Sequence, residues 1–139
     1  MIANQHILDT LTKLAAANDA AGNMKFSAAI VRRNRVVSFG FNSMKSHPFQ
    51  ARYGRNSDSI FPHAEISAIK NALKIITVDD LLKCELYIVR VKRPSRRATN
   101  YVWGNAKPCE GCTRAILEFG IKRVIYSTDE HNKWEVMKC

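Results

Sequence analysis

Residues 85–127 constrain the fold more than any other stretch, because their apolar pattern reads strand, loop, helix, strand. Residues 85–92 alternate through Leu86, Ile88 and Val89, residues 109–119 carry a short helix stopped by Gly120, and residues 122–127 form a strand centred on Val124, Ile125 and Tyr126. Parallel strands need a long crossover, so a strand–helix–strand unit argues for an α/β fold with a partly parallel sheet covered by helices. Before it, Ile7, Leu8, Leu11, Leu14 and Ala15 repeat at helical spacing, predicting a helix over 4–20 with Gly22 beyond its end. Residues 25–42 read as an antiparallel hairpin, with Asn34 suited to its turn among Arg32, Arg33 and Arg35. A second helical pattern, Ile66, Ile69, Ala72, Leu73 and Ile76, is expected to end at Asp79 and Asp80. Residues 43–62 and 93–107 read as long loops, of the kind that is usually functional or disordered. A short last strand over 133–138 follows only five polar residues, 128–132, which suit a hairpin rather than a crossover. It is therefore expected to run antiparallel to its predecessor.

At 139 residues the chain is read as one domain, 1–139. Its 46% hydrophobic and 24% charged residues match globular averages and argue against disorder. No apolar run approaches about 18 residues, and the first nine residues lack the pattern of a signal peptide. The expectation is a cytoplasmic protein with no membrane partner. Twenty-two Lys and Arg against twelve Asp and Glu give a net charge of +10, which suits anionic partners such as nucleotides or nucleic acid.

Two stretches carry chemistry, Pro62-His63-Ala64-Glu65 and Pro108-Cys109-Glu110-Gly111-Cys112. Each opens a predicted helix, with proline where the first turn tolerates one. Cys109 and Cys112, three apart, share a helix face, and the positive end of the helix dipole favours their thiolates. With the His63 nitrogen they form a donor set that suits Zn²⁺ better than hard cations. Three protein ligands leave a fourth position open for water, as in catalytic zinc sites. Glu65 stands about 200° from His63 on a regular helix. The expectation is therefore that His63 lies at the helix start, where the backbone turns and the carboxylate can move a proton. Cys84 and Cys139 have no informative spacing.

The pattern H-x-E followed by P-C-x-x-C is that of the zinc nucleobase deaminases. On these residues the chain resembles the cytidine deaminase-like superfamily, in its deoxycytidylate and tRNA-adenosine branch, over about residues 25–127. The resemblance implies a three-layer α/β/α domain with a mixed sheet of about five strands. It implies one zinc per chain on His63, Cys109 and Cys112, with Glu65 as the catalytic proton shuttle. By position, the Ala64 N–H would help hold the base and Asn42 would contact sugar or base. His47 and Arg55, with Lys45 and Arg52, are candidates to meet a phosphate. A homo-oligomer is also implied. Three features depart from the family. Ala106 stands where Ser or Thr is frequent, the 93–107 loop is long, and His63 replaces the Cys of free-cytidine deaminases. The last departure points to the nucleotide or polynucleotide branch, whereas an antiparallel last strand is the free-cytidine arrangement.

The expected function is hydrolytic deamination of a cytosine-type base in a nucleoside or nucleotide (dCMP/CMP-like), with zinc-bound hydroxide attacking C4. An alternative is the same chemistry on single-stranded DNA or RNA, or on tRNA adenosine. It draws on the basic run Arg90, Lys92, Arg93, Arg96 and Arg97 beside Tyr101 and Trp103. A further alternative is a non-catalytic zinc-binding module, its metal closed by His47, Cys84 or Cys139.

Overall fold

The computed structural model describes residues 3–18, 25–42 and 63–138. Helix α1, Gln5–Ala16, is capped by Asn4, whose side chain accepts the Ile7 N–H at 3.3 Å. It ends four residues before the expected Ala20, where the Asn18 side chain donates to the Asn42 carbonyl at 3.0 Å and draws the chain towards the sheet. Strands β1, Lys25–Arg32, and β2, Arg35–Phe41, form the expected hairpin. Its turn residues Arg33 and Asn34 have φ of 51° and 63°, the left-handed pair that matches strand twist.

Helix α2 spans Ala64–Ala72 and helix α3 spans Val78–Leu81. Asp79 and Asp80 thus do not end a helix; they open one. Thr77 accepts the Asp80 N–H while the Asp80 carboxylate accepts the Thr77 N–H, a closed capping box. Strand β3, Glu85–Lys92, leads to β4, Val102–Gly104, inside the stretch read as a loop. Helix α4, Glu110–Glu118, and strands β5, Arg123–Ser127, and β6, Trp134–Lys138, complete the order.

The sheet runs β2-β1-β3-β5-β6, with β4 paired to β3 off this path. The five strands of the path answer the expectation; the sixth, β4, is an addition to it. β3 and β5 are parallel, joined through α4, and the other pairs are antiparallel. β6 pairs antiparallel with β5, from Ser127↔Trp134 to Arg123↔Lys138, as the short connection requires.

Alternation along the strands builds two cores. Ala29, Val31, Tyr87, Val89, Val91 and Ile125 face α1, packing on Leu8, Leu11 and Ala15. Ala28, Ile30, Leu86, Ile88 and Val124 face α2 and α4, packing on Ala64, Ala68, Ala72 and Ile116. The result is the expected α/β/α stack, and a sheet buried on both faces explains the unbroken apolar run at Leu86–Val89. No helix among the described residues is long and apolar enough to cross a membrane.

Candidate active site

Both motifs sit at the helix starts predicted from sequence. His63 is the N-cap of α2, extended at φ −95° and ψ 154°, and its side chain makes no capping bond. Its ring turns instead to the cysteines, with Nδ1 3.1 Å from Cys112 Sγ and 3.4 Å from Cys109 Sγ. Cys109 is the N-cap of α4, and its Sγ accepts the Cys112 N–H at 3.4 Å. The three donor atoms lie within 4.8 Å of one another. Tetrahedral zinc with ligand lengths of about 2.0–2.3 Å needs donors about 3.5–3.8 Å apart, so the cluster fits that ion with small adjustments. Two helix N-termini face it, and their dipoles favour the thiolate form.

The Cys109 thiol is lowered to about 4, first by the hydrogen bond from the Cys112 side chain and then by His63, against the opposing effect of burial. The Cys112 thiol moves the other way, raised by that same bond and by burial. Cys112 is buried and Cys109 exposed, so the cluster opens to solvent on the Cys109 side. Glu65 is buried on α2, and its carboxyl hydrogen-bonds the Cys112 side chain. Burial raises its pKa; the nearby His63 opposes that shift. Placing His63 outside the first helical turn is what lets His63 and Glu65 converge, as the spacing argument requires.

α2 is held close to β2. A Cβ on Gly40 would collide with the backbone of Ala64 and Ala68, so only glycine admits the helix there. Ser38 Oγ donates to the Ala68 carbonyl at 2.7 Å, Asn71 Nδ2 donates to the Phe39 carbonyl at 2.8 Å, and the Phe41 N–H donates to Ser67 Oγ at 3.3 Å. Sequence reasoning singled out none of Ser38, Ser67 or Asn71. Gly40 inside a strand pattern was the one available signal. α4 is placed by the segment before it, where the Ala106 N–H donates to the Ser127 carbonyl at 2.9 Å.

Ala64 is buried at the first position of α2. The Asn42 Oδ1 accepts the Phe26 N–H at 3.0 Å and Asn18 Nδ2 at 3.1 Å, tying together the ends of α1, β1 and β2. His47, Arg55, Lys45 and Arg52 lie outside the described residues. Cys84 does not join the metal cluster; its thiol donates to the Asp80 carbonyl at 3.4 Å. Trp103 is not a stacking platform. It is fully buried against α1, with Nε1 donating to Thr12 Oγ1 at 2.8 Å.

Residues 1–128 match the family model described as the cytidine and deoxycytidylate deaminase zinc-binding region. The human deoxycytidylate deaminase is 26% identical over 129 residues, covering 86% of this chain and 61% of that protein. The mouse deoxycytidylate deaminase is 25% identical over 132 residues, covering 88% and 63%. The chain thus spans about three-fifths of the length of these curated relatives. Among solved structures, guanine deaminase from Bacillus subtilis aligns with a TM-score of 0.58 at 23% identity, covering 91% of this chain and 65% of that one. The dCMP deaminase from cyanophage S-TIM5, in complex with dCMP and dUMP, aligns with a TM-score of 0.56 at 20% identity, covering 88% and 78%. At these identities the likeness is one of fold.

Proposed function

Because the chain belongs to the cytidine and deoxycytidylate deaminase zinc-binding family, with zinc as its metal, we propose that it hydrolytically deaminates a cytosine-type base in a nucleoside or nucleotide. The observation that carries this reading is the convergence of His63, Cys109 and Cys112 within 4.8 Å, with the buried Glu65 carboxyl against Cys112. His63, Cys109 and Cys112 would hold the ion, which when bound supplies a water activated near neutral pH. In the net reaction the water oxygen bonds to C4, the C4–amine bond breaks, and ammonia leaves. Glu65 would carry the two water protons in turn, the first to the ring nitrogen and the second, from the new C4 hydroxyl, to the departing amine. Its raised pKa suits a group that must both accept and release a proton.

Ala64 opens α2, where a backbone N–H has no partner within its own helix, so it is available to the base. Asn42, next to the strand end pinned on α2, is the proposed sugar or base contact. A structural zinc module is less well supported, because Cys84 is engaged elsewhere and Glu65 would be buried without a task. A second reading, action on a polynucleotide, draws on the exposed Arg93, Arg96 and Arg97 of the basic run, and burial of Trp103 weakens it.

The test is zinc content together with ammonia release from a panel of cytosine nucleosides, nucleotides and single-stranded oligonucleotides. About one zinc per chain with ammonia from the monomers supports the proposal. Zinc without ammonia from any substrate overturns it.

A further inference from the structure

One edge of β3 is shared by two strands. β1 pairs with its other edge from Glu85 to Val91. On the shared edge, β5 runs parallel as far as Ile88↔Tyr126, and β4 takes over antiparallel from Arg90↔Gly104. Ser127, the last residue of β5, falls at this junction and is fully buried. Where one strand stops and another begins, backbone groups of the shared edge lose their ladder partners, and buried orphans are costly. The Ser127 hydroxyl replaces those partners. Its Oγ accepts the Arg90 N–H at 3.0 Å and donates to the Gly104 carbonyl at 2.7 Å. The Ser127 carbonyl accepts the Ala106 N–H at 2.9 Å. One residue thus ties β3, β4 and the segment after β4 to the end of β5.

The turn after β5 extends the grip. Asp129 Oδ1 accepts the Asn105 N–H at 3.1 Å and is itself held by Lys92 Nζ at 3.0 Å. His131 Nδ1 accepts the Trp103 N–H at 3.1 Å. The turn is closed on itself, because the Thr128 N–H and hydroxyl both donate to the Lys133 carbonyl, at 3.0 and 2.7 Å. Each residue from Trp103 to Ala106 therefore rests a backbone group on residues 127–131. Beyond that grip, the Lys107 N–H donates to Asn105 Oδ1 at 3.1 Å. Only Lys107 and Pro108 then precede Cys109, and the proline ring fixes one backbone torsion of the two it has. Neither Ser127 nor Asp129 belongs to the cluster of donors.

We propose that Ser127 and Asp129 are positioning residues for the zinc site: by holding residues 104–106 they fix where Cys109 presents its thiolate. β5 and its turn then place the cysteine side of the site, as α2 places His63. This rests on the zinc-deaminase reading, in which Cys109 is a ligand.

The test follows zinc release from the loaded full chain to an excess of a coloured chelator. Beside it runs the thiolate-to-metal charge-transfer band of the Co²⁺-substituted protein. Ser127→Ala leaves the Arg90 N–H and the Gly104 carbonyl unmatched. Release should quicken about 10-fold or more, the usual worth of partners behind metal ligands, and the Co²⁺ band should shift. Asp129→Ala, at an exposed position, spares the core and so decides the question even where Ser127→Ala fails to fold. It should quicken release by a smaller factor. Asp129→Asn, whose amide oxygen can still accept the Asn105 N–H, should restore most of the difference. Arg123→Met is the control. It breaks the 3.1 Å pair with Glu85 at the opposite end of β5, and should lower stability while release and band stay as they are. The proposal is overturned if Ser127→Ala and Asp129→Ala release zinc no faster than Arg123→Met, or if Asp129→Asn releases it as fast as Asp129→Ala. Metal release needs no turnover, so the two readings separate. Zinc held through Ser127 and Asp129 without ammonia from any cytosine substrate defeats the deamination reading alone. Ammonia release with zinc release unchanged in both alanine variants defeats the positioning assignment alone. An unaltered chain that binds no zinc defeats both.

Discussion

The two helix layers are built from different materials. α1 buries Ile7, Leu8 and Leu11 against Tyr87, Val89 and Trp103, a layer of large side chains. α2 places Ala64, Ala68 and Ala72, with Ile69 as one large residue among them, in the core on the other face, and lies so close that Gly40 has no room for a Cβ. Large side chains bury more apolar area and so contribute more stability. Small ones allow close approach, and the hydrogen bonds donated by Ser38 and Asn71 and accepted by Ser67 then fix position. The first layer backs the sheet. The second sets where His63 and Glu65 stand. Substitutions on the two sides should therefore separate stability from chemistry.

The largest separation is expected at the cluster. His63→Ala or Cys109→Ser should abolish stoichiometric zinc binding, since two remaining protein ligands make a poor site, and with it nearly all turnover. Metal analysis of the purified variants checks this, and full zinc occupancy in both would remove them from the site. Glu65→Gln divides the site further. The amide keeps the shape and cannot carry the proton, so zinc should remain while turnover falls about 10²-fold or more. Near-normal turnover would mean that another group moves the proton.

Trp103→Ala probes the backing layer. The side chain is fully buried and loses its bond to Thr12 Oγ1, so unfolding free energy should drop by about 3–5 kcal/mol. Denaturant titration measures the loss, while the folded fraction should still hold its zinc. Loss of zinc from folded protein would show that the two layers are coupled.

What the sequence made legible, and what it concealed, follows the same division. The helix starts at His63 and Cys109 were readable because proline, ligand spacing and helical periodicity agree locally. The direction of β6 was readable because five residues are too few for a crossover. β4 was hidden, since three residues cannot display a period. Trp103 beside a basic run resembled a stacking platform because its partner Thr12 is 91 residues away in the chain. Asp79 and Asp80 looked like a helix stop because capping residues mark a boundary without saying which helix they belong to. Gly40 inside a strand pattern hints at a close backbone approach, but its partner α2 is a separate element that no local pattern names.

Gly40→Ala tests the close face. The new methyl meets backbone rather than a flexible side-chain tip, so α2 must shift, at a cost of about 1–3 kcal/mol. Unlike Trp103→Ala, it should also weaken zinc binding, because His63 moves with the helix. Titration with a competing chelator reads that difference. Equal zinc affinity in the two variants would contradict the assignment of positioning to α2.

The smallest effect is expected at Asp80, the half-buried partner of the Thr77 cap where the chain turns from the α2 layer towards β3. Hydrogen bonds from the Thr77 N–H and hydroxyl hold its carboxyl below the usual range, and Arg32 adds to this from 3.9 Å. A carboxyl with a depressed folded pKa contributes stability that is fully present above its unfolded value of about 3.9 and is lost as pH falls through the folded value. Asp80→Asn should therefore be less stable than the unaltered chain by a constant margin from pH 7 down to about pH 5. The margin should shrink below about pH 4, as the native carboxyl protonates. Zinc binding at pH 7 should be unaffected, because the cap touches neither α4 nor the first turn of α2. Thermal unfolding across that pH range reads the margin, and a gap that widened on acidification would mean that the Asp80 carboxylate opposes folding rather than capping α3.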